Sequence, residues 1–226
     1  MKKLVSVIMP VFNGEETVLD SANSILTQTY ENLELLILDD GSTDNTYKIL
    51  QKLNEKDKRV KLFLNNKNKG LTKSLNLLIK NCNGDLIARQ DADDISFSNR
   101  ISKQVNCLKK DFYDICVSRA KIMDSNKFIP KYSYYFPNKL IMKYKNPFIH
   151  GTAMFKYHVL KELNFYNENF YYAQDYKLFF DALNKGYKFK YIKEPLYYLN
   201  VKDNISSNYL NEQNFYADCV RNNKIP

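Results

Sequence analysis

Short apolar runs alternate with segments of helical periodicity along the first ninety or so residues. The runs predict buried strands at 4–9, 33–38, 60–64 and 85–90, because each is short and is bounded by polar or turn residues. Apolar side chains recur at helical spacing between them and predict three helices, which carry Val18, Ala22 and Ile25, then Ile49, Leu50 and Leu53, then Leu71, Leu75 and Leu78. Repeated strand–helix units predict an α/β fold with a mostly parallel central sheet flanked by helices.

The second half of the chain has a weaker pattern. It predicts a helix after Ser98, a strand at 114–123, helices at about 156–163 and 175–184, a strand at 187–192 and a helix in the tail. No internal repeat or clear domain boundary is visible, and with six glycines and six prolines long flexible linkers are excluded. We therefore expect a single domain over 1–226, with a regular half at 1–95 and a less regular half at 96–226.

Polar turns follow three of the predicted strands. Asn13 follows the first, an Asp-Asp-Gly-Ser turn at 39–42 follows the second, and the acidic segment 91–94 follows the fourth. Because ligands of such sheets bind beyond the carboxyl ends of the strands, the three turns predict one functional edge. Three carboxylates within four residues repel each other, so a cation or a basic partner is expected near 91–94.

Composition narrows the class of protein. The chain has 226 residues, 44% of them apolar, which is enough for one sizeable core. Its apolar runs are too short for a membrane span or a signal peptide, and its four cysteines lack metal-site spacing and predict reduced thiols, so we expect a cytoplasmic protein. The net charge of +9 favours an anionic partner without choosing among nucleic acid, acidic lipid and a phosphorylated substrate.

Five motifs occur in a characteristic order and spacing: VSVIMPVFN at 5–13, SILTQTY at 24–30, ELLILDDGSTD at 34–44, NKGL at 68–71 and DADD at 91–94. Together they resemble the family 2 glycosyltransferases, which are inverting enzymes of the GT-A fold, over about residues 3–206. The resemblance implies a GT-A-type, Rossmann-like fold with a nucleotide-binding half at 1–95 and an acceptor-binding half at 96–226.

The resemblance also implies an activity. A hexose or N-acetylhexosamine would pass from a UDP-sugar to a glycan or lipid-linked acceptor, as in the synthesis of bacterial lipopolysaccharide or capsule at the inner face of the plasma membrane. The implied partners are this donor and acceptor, with peripheral contact to anionic membrane and no nucleic acid. The implied cofactor is Mg²⁺ or Mn²⁺.

Donor-site residues follow from the match to the family motifs. Asp40 corresponds to the carboxylate that accepts the uracil N3–H, Asp91 to a ribose or sugar contact, and Asp93 to the metal ligand. The implied nucleotide-sugar site also includes Pro10, Phe12, Asn13 and Lys73. Without the family, residues 39–42 are equally a turn and helix cap, and residues 91–94 a solvated acidic loop.

The acceptor side follows from the second half in the same way. Asp175 matches the catalytic base, Gln174 stands where the family usually has Glu, and His150 matches an acceptor-side histidine. Asp175 could instead be a helix N-cap, and His150 a packed core histidine. Leu75 replaces a frequent Arg near the diphosphate, for which Lys69 or Lys73 would substitute.

The downstream segment 196–206 departs further from the family pattern. It carries Asn200 and Lys202 where Arg and His are usual. The missing His suggests looser metal binding or a role for Lys202 on the phosphates.

Other interpretations remain open at the level of sequence. Asp91 and Asp93 could form the DxD nucleophile pair of a phosphohydrolase, although Arg89 and Gln90 interrupt the apolar strand that such a site needs. The protein could also be a non-catalytic basic module that binds nucleic acid or membrane. Residues 127–145 hold five lysines, several aromatics and no acid, which is typical either of a solvated acceptor-side loop or of a surface that contacts anionic lipid.

Overall fold

The computed structural model of the chain describes residues 2–109, 112–202 and 209–226. Its first half repeats a strand–helix unit three times and ends on a fourth strand. The elements are β1 Val5–Val11, α1 Val18–Leu26, β2 Leu33–Asp39, α2 Thr46–Lys56, β3 Val60–Leu64, α3 Leu71–Lys80 and β4 Leu86–Arg89.

Shorter and less regular elements make up the second half. They are β5 Ile95–Ser96, α4 Arg100–Leu108, β6 Ile115–Ile122, β7 Phe128–Ile129, α5 Asn138–Ile141, β8 Met154–Lys156, α6 Tyr157–Glu162, α7 Gln174–Asn184, β9 Phe189–Leu199 and α8 Leu210–Arg221. Single 3₁₀ turns lie at Ser133–Tyr135 and His150–Thr152.

One sheet runs through both halves in the order β3-β2-β1-β4-β8-β6-β9-β5, with β7 paired to β6. All pairs among the first four strands are parallel, and β6 and β9 are parallel as well. The strand β8 joins β4 to β6 by antiparallel pairing on both sides. This confirms the expected α/β class, with a parallel first half and a mixed second half.

Strands β1, β2 and β4 are buried on both faces, whereas the edge strand β3 is only partly buried. Alternate residues of β1 and β2 point to opposite sides, so that Met9 and Ile37 pack with α1, α2 and α4, whereas Ile8 and Leu36 pack with α3, α6 and α7. A parallel strand covered by helices on both faces is continuously apolar, which is why these segments appear in the sequence as unbroken runs.

The predicted elements of the first half are confirmed to within a few residues, and the differences concern strand ends. Pro10 lies inside β1 rather than after it. This is possible because the pairing of β1 with β4 ends at Ile8, and Pro10 needs no hydrogen bond on that side. In the second half β9 continues to Leu199, and the very short strands β5 and β8 were not predicted. Within the described residues, none of the helices has both the length and the apolar character required to cross a bilayer.

Candidate functional site

The carboxyl ends of β1, β2 and β4 meet at one edge of the sheet. Val11 lies opposite Asp39 of β2, and Ile8 lies opposite Arg89 of β4. Since neighbouring strands are about 4.8 Å apart, the segments that follow β2 and β4 lie about 10 Å from each other. The chain runs outward from β1 to β3 on one side and returns at β4 on the other. Such a reversal point is where open α/β sheets bind ligands.

Asn13 ties the first polar turn to the second. It has a left-handed backbone (φ 50°), its amide nitrogen donates to Ser42 Oγ at 2.9 Å, and its side-chain oxygen accepts from the Thr43 amide at 2.9 Å. Pro10 is buried beneath this edge, while the ring of Phe12 is 46% exposed on it. The first turn therefore presents a fixed backbone and one accessible aromatic face.

The carboxylate of Asp40 is buried and held by its own protein. Its Oδ1 accepts from Asn65 Nδ2 at 2.7 Å and from the Lys69 amide at 3.0 Å, and its Oδ2 accepts from the Gly70 amide at 2.9 Å. A carboxylate oxygen can accept two hydrogen bonds, so Oδ2 retains one acceptor position for a ligand. The neighbouring Asp39 accepts from the Ser42 amide at 2.9 Å and shapes the turn, as its position predicts.

Arg89 is the cation that the acidic segment requires. Its guanidinium is buried and donates to Asp91 Oδ1 from Nη2. The backbone amide of Asp91 donates to the Tyr197 hydroxyl at 3.0 Å. Asp91 is thus fixed at its side chain and at its main chain, while its carboxylate remains partly open to solvent.

Asp93 and Asp94 differ in their surroundings. Asp94 is buried, its Oδ1 accepts from the Asn200 amide at 2.7 Å, and burial together with the charges of Asp91 and Asp93 raises its pKa to about 8. Asp93 is half-buried, and its pKa is raised by burial and by Asp91. Asp94 therefore anchors the chain where it leaves β9 at Asn200, whereas Asp93 has a carboxylate whose charge a nearby cation would stabilise.

A second buried arginine supports this segment from behind. Arg100 donates to Gln90 Oε1 at 2.9 Å, to Ser96 Oγ at 2.8 Å and to the Arg89 carbonyl at 2.6 Å. Its guanidinium lies 5.0 Å from the centre of the Tyr197 ring. The sequence does not predict these groups as part of the site; the polar pair Arg89-Gln90 at the end of an otherwise apolar strand is the one feature that points to them.

Asp175 is the second residue of α7, after Gln174. Ala173, which immediately precedes the helix, has a left-handed backbone (φ 51°). Asn146 Nδ2 donates to its Oδ2 at 2.7 Å. Burial raises the pKa of Asp175 to about 6 despite the hydrogen bond from the Tyr176 amide, and the charge of Asp91 raises it further. A carboxyl group with this pKa is mostly ionised at neutral pH and is basic enough to accept a proton.

His150 lies beside the acidic segment. Its Nε2 shares a hydrogen bond of 2.6 Å with the Tyr166 hydroxyl, and burial followed by the nearby Arg89 lowers its pKa to about 3, so the ring is neutral. A side chain at the following Gly151 would come within 2.5 Å of Asp91 Oδ2. This segment therefore packs against Asp91, and His150 is both a packed histidine and a polar group at the site.

Candidate residues from both halves of the chain lie within electrostatic reach of Asp91. Asp91 acts electrostatically on Asp93, His150 and Asp175. Asp40 is connected to them through Gly70, where a Cβ atom would lie 2.8 Å from the Tyr171 ring, four residues before Asp175.

The remaining candidates lie around this site. Gln174 is buried beside Asp175, and Lys69 and Lys73 are exposed close to the Asp40 loop. Lys202 forms an exposed ion pair with Asp124 at 3.0 Å, and residues 203–206 of the downstream segment lie outside the described residues.

The donor set fits a hard divalent cation that is held incompletely by protein. Among the described residues, no three His, Cys, Asp or Glu side chains gather into a complete metal site. Asp93 offers a half-buried carboxylate whose ionisation is disfavoured by its neighbours, which is the condition that a bound cation relieves. Mg²⁺ and Mn²⁺ prefer such oxygen ligands, and Mg²⁺ commonly binds through one or two carboxylates plus phosphate and water.

Comparisons with known proteins show the family to which the chain is similar. The family model described as glycosyl transferase family 2 matches residues 6–186. The putative glycosyltransferase EpsE of Bacillus subtilis is 36% identical over 85% of this chain and 71% of its own length. The UDP-Glc:alpha-D-GlcNAc-diphosphoundecaprenol beta-1,3-glucosyltransferase WfaP of Escherichia coli is 32% identical over 82% of this chain and 72% of its own.

Solved structures share the fold at low sequence identity. The S. aureus TarS fragment in complex with UDP-GlcNAc has a TM-score of 0.78 at 21% identity, and covers 92% of this chain while this chain spans 61% of it. The mannosyltransferase PcManGT from Pyrobaculum calidifontis, in complex with GDP-Man and Mn²⁺, has a TM-score of 0.79 at 18% identity and covers all of this chain, which spans 66% of it.

Proposed function

The chain belongs to glycosyl transferase family 2 and is a glycosyltransferase, and on that premise we propose that it transfers a hexose or N-acetylhexosamine from a UDP-sugar to a lipid-linked glycan with inversion. The observation that carries this proposal is the half-buried Asp175, with a pKa of about 6, lying within electrostatic reach of Asp91 at the sheet edge. Membership of this family displaces the phosphohydrolase and the non-catalytic module as interpretations of the sequence.

The donor nucleotide binds against the turns that follow β1 and β2. Asp40 Oδ2 accepts the N3–H of uracil through its remaining acceptor position, and the exposed Phe12 and the turn at Asn13 contact the nucleoside. Pro10 shapes the floor, Asp91 contacts the ribose or the sugar, and Lys73 approaches the diphosphate from α3. The buried hydrogen bonds of Asp40 support this role because they orient the carboxylate before the ligand arrives.

Asp175 acts as the general base. The acceptor hydroxyl oxygen attacks the anomeric carbon, its proton passes to Asp175, and the bond from that carbon to the β-phosphate oxygen breaks, so that UDP leaves. One displacement of this kind inverts the anomeric centre and needs no covalent nucleophile. The pKa of about 6 matches the requirement that a base be ionised and still basic near neutral pH.

Asp93 would hold the divalent cation, with the diphosphate oxygens and water completing the coordination. When bound, the cation supplies Lewis-acid stabilisation of the charge on the leaving diphosphate. The chain's own contribution is to keep Asp93 oriented through the fixed segment that Arg89, Tyr197 and Asn200 hold.

The acceptor is a glycan linked to a lipid diphosphate. This rests on relatives such as WfaP, whose name states an undecaprenol-diphosphate acceptor, and on the positive net charge of this chain. We assign His150 and Gln174 to the acceptor, because a neutral imidazole and an amide can each hydrogen-bond a sugar hydroxyl.

The test combines binding with turnover. Thermal melting of the whole chain is measured with UDP-Glc, UDP-Gal, UDP-GlcNAc and GDP-Man, with and without Mn²⁺, because a ligand of the folded state raises Tm. We expect a UDP-sugar to raise Tm most in the presence of Mn²⁺. Asp93→Asn should lose the Mn²⁺-dependent part, and Asp175→Asn should keep the shift but lose transfer.

The matched control is Asp20→Asn, which changes an exposed carboxylate on α1 and should alter neither measurement. The proposal is overturned if no UDP-sugar raises Tm, or if Asp175→Asn transfers sugar at the wild-type rate.

A further inference from the structure

The segment 127–145 forms a surface of exposed lysines and aromatic side chains, which we call the basic aromatic surface. All five of its lysines are exposed, and it contains no acidic residue. Six large apolar or aromatic side chains are exposed among them: Phe128, Tyr132, Tyr135, Phe136, Leu140 and Tyr144. Tyr144 is 72% exposed and Phe136 is 57% exposed, and a cluster of exposed apolar side chains of this kind is typical of an interaction site.

The local structure explains why these side chains point outward. The segment has only β7, one 3₁₀ turn and the four-residue α5, so it cannot fold its apolar side chains under itself. Met142 is the apolar side chain that it inserts fully into the core, while Leu140 and Tyr144 on either side of it face solvent. Lys139, Lys143 and Lys145 neighbour Leu140 and Tyr144 in the chain and are exposed as well, so charged and apolar side chains are exposed next to each other.

This surface is attached directly to the catalytic side of the molecule. The Tyr176 hydroxyl donates to the Met142 carbonyl, and Arg221 of α8 donates to the Tyr144 carbonyl at 3.2 Å. Asn146, the next residue after the surface, donates to Asp175 at 2.7 Å. Two residues of extended chain span about 7 Å at most, so the backbone of Tyr144 lies within that distance of the residue that holds Asp175.

We propose that the basic aromatic surface docks the enzyme on a bilayer containing anionic lipid and thereby presents the head group of a lipid-linked acceptor to Asp175. The inference rests on the proposed function for the identity of the acceptor, whereas the docking itself does not. Lysine ammonium groups attract anionic head groups, and tyrosine and phenylalanine rings insert at the depth of those head groups.

The same chemistry in other partners fits less well. Single-stranded nucleic acid binds where bases can stack on open ring faces in a basic groove. Here the ring of Tyr135 packs against Tyr134 at 4.2 Å between centroids, and Lys131 and Lys193 lie over the rings of Tyr132 and Tyr135. The position of the basic aromatic surface beside Asp175 also favours a membrane as its partner, because a lipid-anchored sugar can approach the base only from the bilayer surface.

The experiment measures vesicle binding by the whole chain in the absence of any sugar nucleotide. Vesicles of phosphatidylcholine alone are compared with vesicles of phosphatidylcholine and phosphatidylglycerol in equal parts, at low and high salt. Lys131→Gln/Lys139→Gln/Lys143→Gln removes three charges from the surface, and Phe136→Ser/Tyr144→Ser removes two rings. The matched control, Lys52→Gln/Lys56→Gln/Lys58→Gln, removes three exposed lysines on and after α2.

We expect wild type and control to bind the anionic vesicles and to release them at high salt. The triple surface variant should bind roughly tenfold or more weakly, and the ring variant should also bind more weakly. All variants should keep the Tm of wild type and its Tm shift with UDP-sugar, which separates docking from donor binding and from misfolding.

The proposal is overturned if wild type fails to bind anionic vesicles, or if the control loses as much binding as the surface variant. It is also overturned if single-stranded RNA, rather than vesicles, is the ligand that the surface variant loses. If no UDP-sugar raises the Tm of wild type, the proposed function is overturned. The docking proposal is then judged from vesicle binding alone.

Discussion

Opposing effects of burial, charge and hydrogen bonding determine the pKa of Asp175. Burial and the charge of Asp91 disfavour its ionised form, while the Tyr176 amide and the Asn146 side chain donate hydrogen bonds to that form. The result is a carboxyl group with a pKa of about 6, well above that of an exposed aspartate. Asn146 is the one of these partners that can be changed without touching the backbone of α7.

The activity of the enzyme should therefore follow the ionisation of Asp175 on its acid side. A base works when it is deprotonated, so kcat/KM should rise with pH through a limb near pH 6. In Asn146→Ala the ionised form of Asp175 loses a hydrogen-bond donor, so its pKa rises. The acid limb of kcat/KM should therefore move to higher pH. The control Asn81→Ala removes a side-chain hydrogen bond to Leu77 at the end of α3 and should leave the limb in place. An unmoved limb in Asn146→Ala would show that Asn146 does not tune the base.

The ion pair between Arg89 and Asp91 should matter far more to stability than an exposed pair does. The Arg89 side chain is 2% exposed, so Arg89→Met leaves Asp91 beside Asp93 without its cation and should lower the free energy of unfolding by about 3 kcal/mol. Lys103→Met breaks the exposed pair with Glu194 and should cost less than about 1 kcal/mol.

Urea denaturation measures both changes in stability. The double variant Arg89→Met/Asp91→Asn should recover part of the loss, because the uncompensated charge is removed as well. If Arg89→Met and Lys103→Met prove equally stable, burial does not determine how much the Arg89–Asp91 pair contributes to stability.

At the scale of elements, the sequence predicts best where one physical cause dominates. Strands β1, β2 and β4 are buried on both faces, so continuous apolar runs mark them, and the turns after β2 and β4 carry the acidic residues of the candidate site. The strands β5 and β8 have two and three residues, too few to leave a periodic signal, and they exist only because longer neighbours pair with them. The role of Arg100 could not be predicted for a related reason: partners such as Arg89 and Gln90 lie ten or more residues away in the sequence and outside α4.

Glycine shows the same division between local and distant causes. Gly41 and Gly186 both have left-handed backbones, with φ of 78° and 88°. A Cβ atom at Gly41 would lie 2.7 Å from the backbone of Lys67, in the loop that orients Asp40, whereas at Gly186 it would meet nothing within 4 Å. Gly186→Ala should thus cost about 1 kcal/mol from backbone strain alone, and Gly41→Ala should cost at least about 1 kcal/mol more because a clash is added.

The two glycine variants are compared by urea denaturation and by the Tm shift with UDP. Gly41→Ala should also weaken the UDP shift, because the clash displaces the loop that donates to Asp40. Equal costs in the two variants, with an unchanged shift, would mean that the loop yields to the added methyl group.

For the whole molecule, the shared sheet argues that the halves 1–95 and 96–226 are parts of one domain. The strand β8 of the second half pairs with β4 of the first, and Arg100 of the second half donates to the carbonyl of Arg89 and the side chain of Gln90. Neither half can satisfy these buried groups alone, and β4 would become an exposed apolar edge if the second half were absent. The site depends on this union, since Asp40 and Asp93 come from one half and Asp175 from the other.

Unfolding should therefore be a single transition in both halves. The chain has no tryptophan, so one introduced tryptophan reports on its own surroundings. Phe63→Trp places the probe on β3 and Phe189→Trp places it on β9, both at partly buried positions. Because β4, β8 and Arg100 couple the halves, urea titrations of the two variants should give coincident transitions by fluorescence and by circular dichroism. If the Phe63 probe unfolds at a higher urea concentration than the Phe189 probe, with circular dichroism falling in two steps, residues 1–95 fold independently. Residues 96–226 would then be a separate unit docked against them.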